Sequence, residues 1–366
     1  MSNVATDKMT DAADDAFARG QPSTYQLPSW LPWLLGRLAS GLGVVIVISF
    51  IVFGATQALP SDPARIILGP EASEQAINVL RQQLGLDQPI YTQYVAWLGE
   101  ITSGNLGRSI DSNVDVSSII HARFANSLAL TLTVSLFAIP LAIVSGIFLA
   151  LRRDSKVDQL AISTIVLFKA VPGFVLAILL VMLFSTSVFQ VLPAASLLDP
   201  SKPALAQFTY LILPTLTLAL SVVPYLLRLV RASMIEAMES DYVIAARLRG
   251  VPEHNVIWRH ALPNALIPAI QGIAMTFRFL FSGVVLVEVV FSYPGIGNTL
   301  NAAIEMRDLP MIQAIVLAIT LGVVLINLAA DLITLLLTPR LRTASKRKLK
   351  KKRAEKRFNK ASRSAA

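Results

Sequence analysis

The chain has 366 residues, of which 54% are hydrophobic and only 15% are charged, and its mean hydropathy is +0.61. A water-soluble core cannot hide that much apolar surface, so the composition excludes a disordered chain and indicates that the solvent is lipid. The lack of cysteine excludes a disulfide-stapled secreted domain, a thiolate nucleophile, an iron–sulfur cluster and a Cys-type zinc site. The net charge of +9 comes from the C-terminal tail, because thirteen of the 32 Lys and Arg lie between Arg340 and Arg363.

Six apolar segments follow one another along the chain, each close to or longer than the roughly 20 residues that a helix needs to cross the hydrocarbon. They lie at about residues 38–59, 126–151, 160–183, 203–227, 266–291 and 311–337. The first follows Trp30 and Trp33, which suit an interfacial aromatic belt, and exceeds the ~7–15 apolar residues of a signal peptide. The pattern predicts an all-α membrane protein with six transmembrane helices, the first of them an uncleaved anchor.

Positive charges predict how these helices are oriented. The loop at 152–156, the segment at 228–259 and the C-terminal tail carry most of them, whereas the loops at 199–202 and 305–308 carry one each. The positive-inside rule therefore favours both termini in the cytoplasm. The segment from 60 to 123 is too polar to span and would then face outward.

A recognisable loop stands between the fourth and fifth apolar segments, with the sequence Asp241-Tyr-Val-Ile-Ala-Ala-Arg-Leu-Arg-Gly250 and then Leu262-Pro263. It resembles the cytoplasmic loop of binding-protein-dependent ABC importer permeases, in which Glu-Ala-Ala is followed at fixed spacing by Gly and by Ile-x-Leu-Pro. Ile244 stands where that family has Glu, and His260 where it has Ile. The positions that match in register are Ala245, Ala246, Gly250, Leu262 and Pro263.

Other segments resemble the B-type permease subunit of the dipeptide, oligopeptide and nickel branch of that family. The matching motifs are Ser61-Asp62-Pro63, Leu84-Gly-Leu-Asp-Gln-Pro89, Gly104-Asn-Leu-Gly-Arg-Ser109, Glu288-Val-Val-Phe-Ser-Tyr-Pro294-Gly295-Ile-Gly297, Arg307-Asp308-Leu-Pro310, and Asn327, Asp331 and Pro339-Arg340. The resemblance covers about residues 34–342, between a tail at 1–33 and a basic tail at 343–366. It implies the architecture of a type I ABC importer permease, with residues 232–264 as the cytoplasmic coupling loop.

The resemblance implies a permease subunit of an ATP-driven importer, with di- or oligopeptides as the expected substrates. Nickel, glutathione or sugars are alternatives within the branch, and a polytopic membrane enzyme is the alternative outside it. The implied partners are a second homologous permease, two ATPase subunits and an extracytoplasmic substrate-binding protein, which the outward segment would help to receive. None of the glycines precedes a lysine, so the chain has no Walker A loop and we expect it not to be an enzyme.

Metal and nucleic-acid chemistry find little support in the sequence. The three histidines, His121, His254 and His260, form no zinc-binding pattern, so we expect no metal and no cofactor, with ATP bound by the partner ATPases. The basic tail suits anionic lipid headgroups, at about 1 kcal/mol per basic residue. No nucleic-acid recognition motif accompanies it.

The coupling loop predicts a short helix exposed for docking. Asp241 can cap its N-terminus, where a carboxylate also suits the helix dipole. Ala245 and Ala246 offer a small surface over which the backbone of another protein can approach closely. Gly250 suits the left-handed position after the helix, and Pro263 would stop the helix that follows.

Four charged residues fall within the apolar segments: Lys169, Arg278, Glu288 and Asp331. By helix rise, Lys169 and Arg278 lie roughly 16–18 Å from the inner face, where a charge costs about 2.5–3.5 kcal/mol, so we expect both to face a hydrated translocation path. Glu288 lies near the outer end and Asp331 near the inner end, each roughly 15 Å away along the normal by helix rise, too far for a direct contact with them. The resemblance implies structural or outer-gate positions for Glu288, Pro294, Gly295, Gly297 and Asp308.

Overall fold

The computed structural model describes residues 30–58, 63–69, 71–83 and 85–337. This part of the chain divides into two compact units, with residues 30–40 in one and residues 41–337 in the other. The described backbone is helical apart from turns, loops and an isolated bridge between Arg108 and Asp115.

Some predictions fall outside the described residues. These are the basic tail at 343–366, residues 1–29 of the N-terminal tail, and the motif residues Ser61, Asp62, Leu84, Pro339 and Arg340.

The described residues form helices of very different lengths along the chain. In chain order they are α1 Trp30–Gln57, α2 Pro63–Leu68, α3 Glu74–Gln83, α4 Ile90–Thr102, α5 Val116–Leu151, α6 Lys156–Ala170, α7 Gly173–Val181, α8 Phe208–Met238, α9 Asp241–Leu248, α10 Glu253–Asn255, α11 Leu262–Val290, α12 Ile296–Glu305 and α13 Leu309–Leu337. A π turn, Met182–Thr186, follows α7, and a second, Val256–Ala261, joins α10 to α11.

The described chain contains five unbroken helical stretches that are long and apolar enough to cross a membrane. They are Leu31–Gln57, Val116–Leu151, Phe208–Met238, Glu253–Val290 and Leu309–Ile333. A sixth span exists if Lys156–Ala170 and Gly173–Thr186 are taken together, although the two parts meet at 100°. The prediction of a helical protein with six apolar spans is confirmed, but the third span is not the straight helix predicted over 160–183.

Pro172 accounts for the bend in the third span. A residue before proline avoids the α-helical region, and Val171 has φ −88 and ψ 127. Pro172 itself has ψ 143 and precedes the first residue of α7. The chain therefore changes direction just after Lys169, so helix rise along a straight span does not give the depth of that residue.

The core of the larger unit lies where α5, α8 and α11 pack together, with α7 beside them. Gly146 of α5 permits the close approach of α8, because an added Cβ would lie 2.9 Å from the Leu227 carbonyl oxygen. The buried side chains that form this core include Leu130, Val134, Leu180, Leu211, Leu218, Leu280 and Val284.

The spans differ in how much of their surface other parts of the chain cover. Within the apolar window of each, 56% of the residues of α8 are buried but only 11% of those of α1. The α8 helix is therefore central, whereas the described residues leave most of the apolar surface of α1 uncovered.

Candidate functional site

The α9 helix lies within the predicted coupling loop at 232–264 and follows α8 almost at once. Ser240 is its N-cap residue and makes no side-chain capping hydrogen bond. Asp241 is the first helical residue and not the cap that the sequence predicted, because α8 continues to Met238 and leaves only a short turn. Its carboxylate still lies at the positive end of the helix dipole, where negative charge is stabilising.

Gly250 follows α9 in the left-handed conformation predicted from the sequence, with φ +75. Its N–H donates to the Arg247 carbonyl at 2.9 Å, and the Val251 N–H donates to the Ala246 carbonyl at 3.2 Å. The two bonds make a Schellman motif, which satisfies carbonyls that a helix end otherwise leaves without partners. The two hydrogen bonds therefore fix the direction in which the backbone leaves α9.

The two alanines of the loop have different surroundings. Ala245 is exposed, whereas Ala246 is fully buried in a cluster that joins α8, α9 and the start of α11. Ala246 therefore packs inside the chain. The prediction that this residue lines a docking surface is wrong. The exposed side of α9 carries large apolar side chains, namely Tyr242, Ile244 and Leu248, the last 84% exposed.

Arg247 and Glu253 join α9 to the helical stretch that follows. Arg247 donates through Nε to Oε2 of Glu253 at 3.1 Å and through Nη2 to Oε1 at 2.6 Å. Hydrogen bonding to Glu253 raises the pKa of Arg247 above its ordinary value. Because both side chains remain largely exposed, the pair orients the loop more than it stabilises the fold.

Pro263 does not stop the helix that follows the loop, contrary to the prediction. Helical structure runs from Glu253 to Val290 and includes the π turn Val256–Ala261. Pro263 is the second residue of α11 and follows the π turn directly, so helical structure continues through it. Beside it, the half-buried Leu262 packs against the clusters around α8.

An ion pair that sequence reasoning missed links α6 to α8. Arg231 donates through Nε to Oδ1 of Asp158 at 2.7 Å and through Nη2 to Oδ2 at 2.5 Å. Asp158 is 1% exposed and also accepts the Asp154 N–H at 3.0 Å. The two partners are 73 residues apart in the sequence, so only the Asp in the first turn of α6 could have drawn attention to the site.

A second ion pair joins the loop between α5 and α6 to the C-terminal end of α8. Arg153, between α5 and α6, pairs with Glu239, which directly follows α8. The two ion pairs border an open cavity of about 610 Å³. Its lining is Arg153, Asp154, Arg231, Ala232, Ile235, Glu236 and Glu239.

Glu288, near the C-terminal end of α11, is completely buried. Its Oε1 accepts from Ser127 Oγ of α5 at 2.5 Å, and its Oε2 accepts from the Gly297 N–H of α12 at 2.6 Å. Ser127 Oγ also accepts from the Ile296 N–H at 2.8 Å. One carboxyl group thus ties three helices together.

Pro294, Gly295 and Gly297 form the turn around this carboxyl group. A Cβ atom on Gly295 would collide with the carboxyl group of Glu288, and a Cβ on Gly297 would lie 2.6 Å from Val285 Cα. Neither glycine has a positive φ, so close approach is what requires glycine here.

Two further contacts fasten this end of the molecule. Asn126 Nδ2 donates to the Pro294 carbonyl at 2.9 Å, and the Tyr293 hydroxyl donates to the Asn126 carbonyl at 2.8 Å. Asp308 is 2% exposed, accepts from Ser109 Oγ at 2.5 Å, and caps the first turn of α13. The structure therefore gathers the predicted gate residues around Glu288, while Asp308 anchors the loop that precedes α5.

The two predicted path residues lie in different surroundings. Lys169 is exposed and lies next to the bend between α6 and α7. Arg278 Nη2 donates to Asp331 Oδ1 at 3.0 Å, so the prediction that these two residues are too far apart for a contact is wrong.

The arrangement of α11 and α13 explains the Arg278–Asp331 contact. Phe281 lies against Gly322, which puts residue 278 level with about residue 325, only ~9 Å from Asp331 by helix rise. The two helices are antiparallel in this contact, and side chains lean towards the N-terminus of their own helix. Arg278 and Asp331 therefore lean towards each other and close the remaining gap.

These features define a polytopic helical membrane protein with a short exposed helix after its central span. Residues 138–343 match the family described as the binding-protein-dependent transport system inner membrane component. Residues 30–131 match the N-terminal family of the same membrane component.

Individual relatives agree with the family match. The glutathione transport system permease protein GsiC of Escherichia coli (strain K12) is 36% identical over 312 residues, which are 85% of this chain and 99% of the relative. The GsiC proteins of Shigella flexneri serotype 5b and Shigella boydii serotype 4 show the same identity and coverage. The chain belongs to the inner-membrane permease family of binding-protein-dependent ABC importers.

Membership places the protein in the inner membrane as a multi-pass permease subunit of an ABC importer. A permease of this family is a transport component and not an enzyme, and ATP hydrolysis belongs to partner ATPases. Binding-protein-dependent transport also implies a substrate-binding protein as a partner.

Proposed function

We propose that this permease imports short peptides, with glutathione as the first substrate to test. Two observations support peptides: the motifs of the dipeptide and oligopeptide branch, and relatives named as glutathione permeases that align with most of the chain. Glutathione is itself a tripeptide, so one substrate class accounts for both. Nickel and sugars are the alternatives within the branch.

The proposed assembly contains this subunit, a second homologous permease, two ATPase subunits and a substrate-binding protein on the outer side. The exposed α9 helix carries this proposal. Its Schellman end and the buried Ala246 hold it firmly on α8, while Tyr242, Ile244 and Leu248 remain uncovered. A rigid helix with an exposed apolar side suits a groove on an ATPase subunit.

A movement of α9 would be transmitted to the membrane spans through two ion pairs on the N-terminal side of α9. Glu239 and Arg153 couple the start of the loop to the α5–α6 connection, and Arg231 holds Asp158 at the start of α6. A displacement of α9 therefore carries the end of α8 and the start of α6 together. Such rigid-body movement of packed helices is what alternating access requires.

The translocation path in this proposal includes the surface that carries Lys169 and Arg278. Lys169 is exposed beside a broken span, and the Arg278 side chain remains 35% exposed although it contacts Asp331. Broken helices at membrane depth are tolerated where they line a cavity or pack against protein. The turn around Glu288 would close the path at its other end as a structural gate.

Transport by the reconstituted complex tests the substrate proposal. The chain would be co-produced with the subunits encoded beside its gene, placed in proteoliposomes, and supplied with the neighbouring binding protein and ATP. We expect ATP-dependent uptake of labelled glutathione or a labelled dipeptide. Uptake of nickel or a sugar without either peptide would overturn the peptide proposal and leave the family assignment intact.

A further inference from the structure

The α4 helix, between the first two spans, packs against the side of α1 instead of standing clear of it. Tyr94 shares a hydrogen bond of 2.7 Å with Ser49, and Gln57 Nε2 donates to Gln93 Oε1 at 3.1 Å. Phe53 of α1 also contacts the ring of Trp97, with the centroids 5.3 Å apart. These contacts place α4 across the last turns of a spanning helix.

The depth of this contact follows from helix geometry. Ser49 lies eight residues before Gln57, the last residue of α1, and each residue of an α-helix advances about 1.5 Å. The Tyr94 hydroxyl therefore reaches about 12 Å below the end of the span, and Phe53 lies about 6 Å below it. Amphipathic helices at a membrane interface bury their apolar face by a similar ~5–10 Å.

The side of α4 turned away from α1 is apolar, and the described part of the chain does not cover it. Tyr91 is 72% exposed and Val95 is 66% exposed, and no residue of α4 is buried. The sequence from Gln88 to Gly99 carries no charge, whereas Asp87 and Glu100 flank it. Tyr and Trp side chains of this kind are enriched where a membrane meets water.

The surface of α1 beside this contact indicates what covers α4. Val47, Phe50 and Ile51 are each more than half exposed on a span of an inner-membrane protein. Phe50 also touches Tyr94, so the exposed apolar surface of α1 continues onto α4. A charge-free surface continuous with a peripheral span fits lipid better than an aqueous protein partner.

We propose that α4 lies in the membrane interface, with Tyr91 and Val95 embedded at the boundary between lipid headgroups and acyl chains. The segment between the first two spans then has two parts. The α3 helix, which carries Glu74 and Arg81, lies in water, and α4 lies in lipid. Binding of α4 to lipid does not depend on the transported substrate or on docking at α9.

Spin labels at single cysteines test this placement. The full-length chain, purified with its partner subunits, would carry Val95→Cys or Tyr91→Cys in proteoliposomes of phosphatidylcholine and phosphatidylglycerol. We expect both labels to collide more often with oxygen, which concentrates in lipid, than with a water-soluble nickel chelate. Phe50→Cys is the control for lipid, and Ser73→Cys, on the exposed turn before α3, is the control for water.

Each other outcome overturns the proposal. Ready collision with the nickel chelate at both α4 positions would place the helix in water. Protection from both reagents would show that another protein covers it. The spin labels report only the position of α4. A failed transport assay would therefore not change how their collision rates are interpreted.

Discussion

Arg231 of α8 donates two hydrogen bonds, of 2.7 and 2.5 Å, to the carboxylate of Asp158 in α6, and Asp158 is 1% exposed. Arg231 also lines the cavity that reaches Glu239, just before the start of α9. This contact joins α8, which leads directly into the proposed docking helix α9, to the only broken span of the described chain.

Asp158→Asn should therefore destabilise the protein and loosen coupling. Removing one partner of a buried ion pair costs roughly 3–5 kcal/mol, because the other charge is left uncompensated. We expect a lower Tm and fewer substrate molecules imported per ATP hydrolysed, with part of both recovered in the Asp158→Arg, Arg231→Asp double variant. Glu74→Gln, which breaks the exposed pair with Arg65, is the control and should change neither quantity. Loss of stability with an unchanged uptake per ATP would show that the pair is structural only.

Substitution of Gly250 should separate ATPase binding from folding of the spans. Gly250→Ala forces a side chain into a left-handed conformation at a cost of about 1–2 kcal/mol. Gly250→Pro also removes the N–H that donates to Arg247, so we expect it to abolish co-purification of the ATPase subunits. Gly43→Ala is the control, because an added Cβ there has no neighbour within 4 Å. A fully active complex carrying Gly250→Pro contradicts the role assigned to α9.

Side chains introduced at the glycines of the turn around Glu288 should destabilise the protein. Gly297→Ala places a methyl group 2.6 Å from a backbone carbon of α11, and overpacking of this kind costs about 1–3 kcal/mol. We expect a clear fall in Tm in detergent. Gly283→Ala, whose Cβ would lie 3.4 Å from Leu218, is the control and should be neutral or stabilising. Equal Tm values for the two variants would refute the close packing of α12 against α11.

Thiol labelling tests whether Lys169 and Arg278 line the translocation path. The chain has no cysteine, so Lys169→Cys and Arg278→Cys can be introduced singly and exposed to a membrane-impermeant reagent. We expect each to react in the assembled transporter in at least one of two states, resting or ATP-trapped. Leu280→Cys, fully buried in the core, is the control that should stay unreactive. If neither position reacts in either state, these charges do not line the path.

The predicted orientation can be tested with a protease-sensitive tag inserted beside Ser73, on an exposed turn. Protease added to right-side-out cells should cut this tag and leave a tag after Ala366 intact. The reverse pattern would invert the topology, with both termini outside.

The spans and the end of α9 follow from local sequence alone. Long apolar segments with few charges predict membrane helices whatever they pack against, because the cost of burying polar groups in lipid is local to each segment. Gly250 is similar, since its left-handed conformation depends on its own missing Cβ and on the helix it follows.

Tertiary packing decided the contacts between charged and polar residues. The pairs Arg231–Asp158, Arg278–Asp331 and Glu288–Ser127 join residues 73, 53 and 161 positions apart, so no local pattern announces them. Helix rise along separate spans misjudged Arg278 and Asp331, because the lean of side chains on antiparallel helices is set only when the helices pack. Proline shows the same division: Pro140 leaves α5 unbroken, whereas the chain bends by 100° at Pro172. Pro140 is itself exposed, but Ala138 and Ala142 on either side of it are buried against other parts of the chain, so the packing around a proline contributes to whether the helix continues through it.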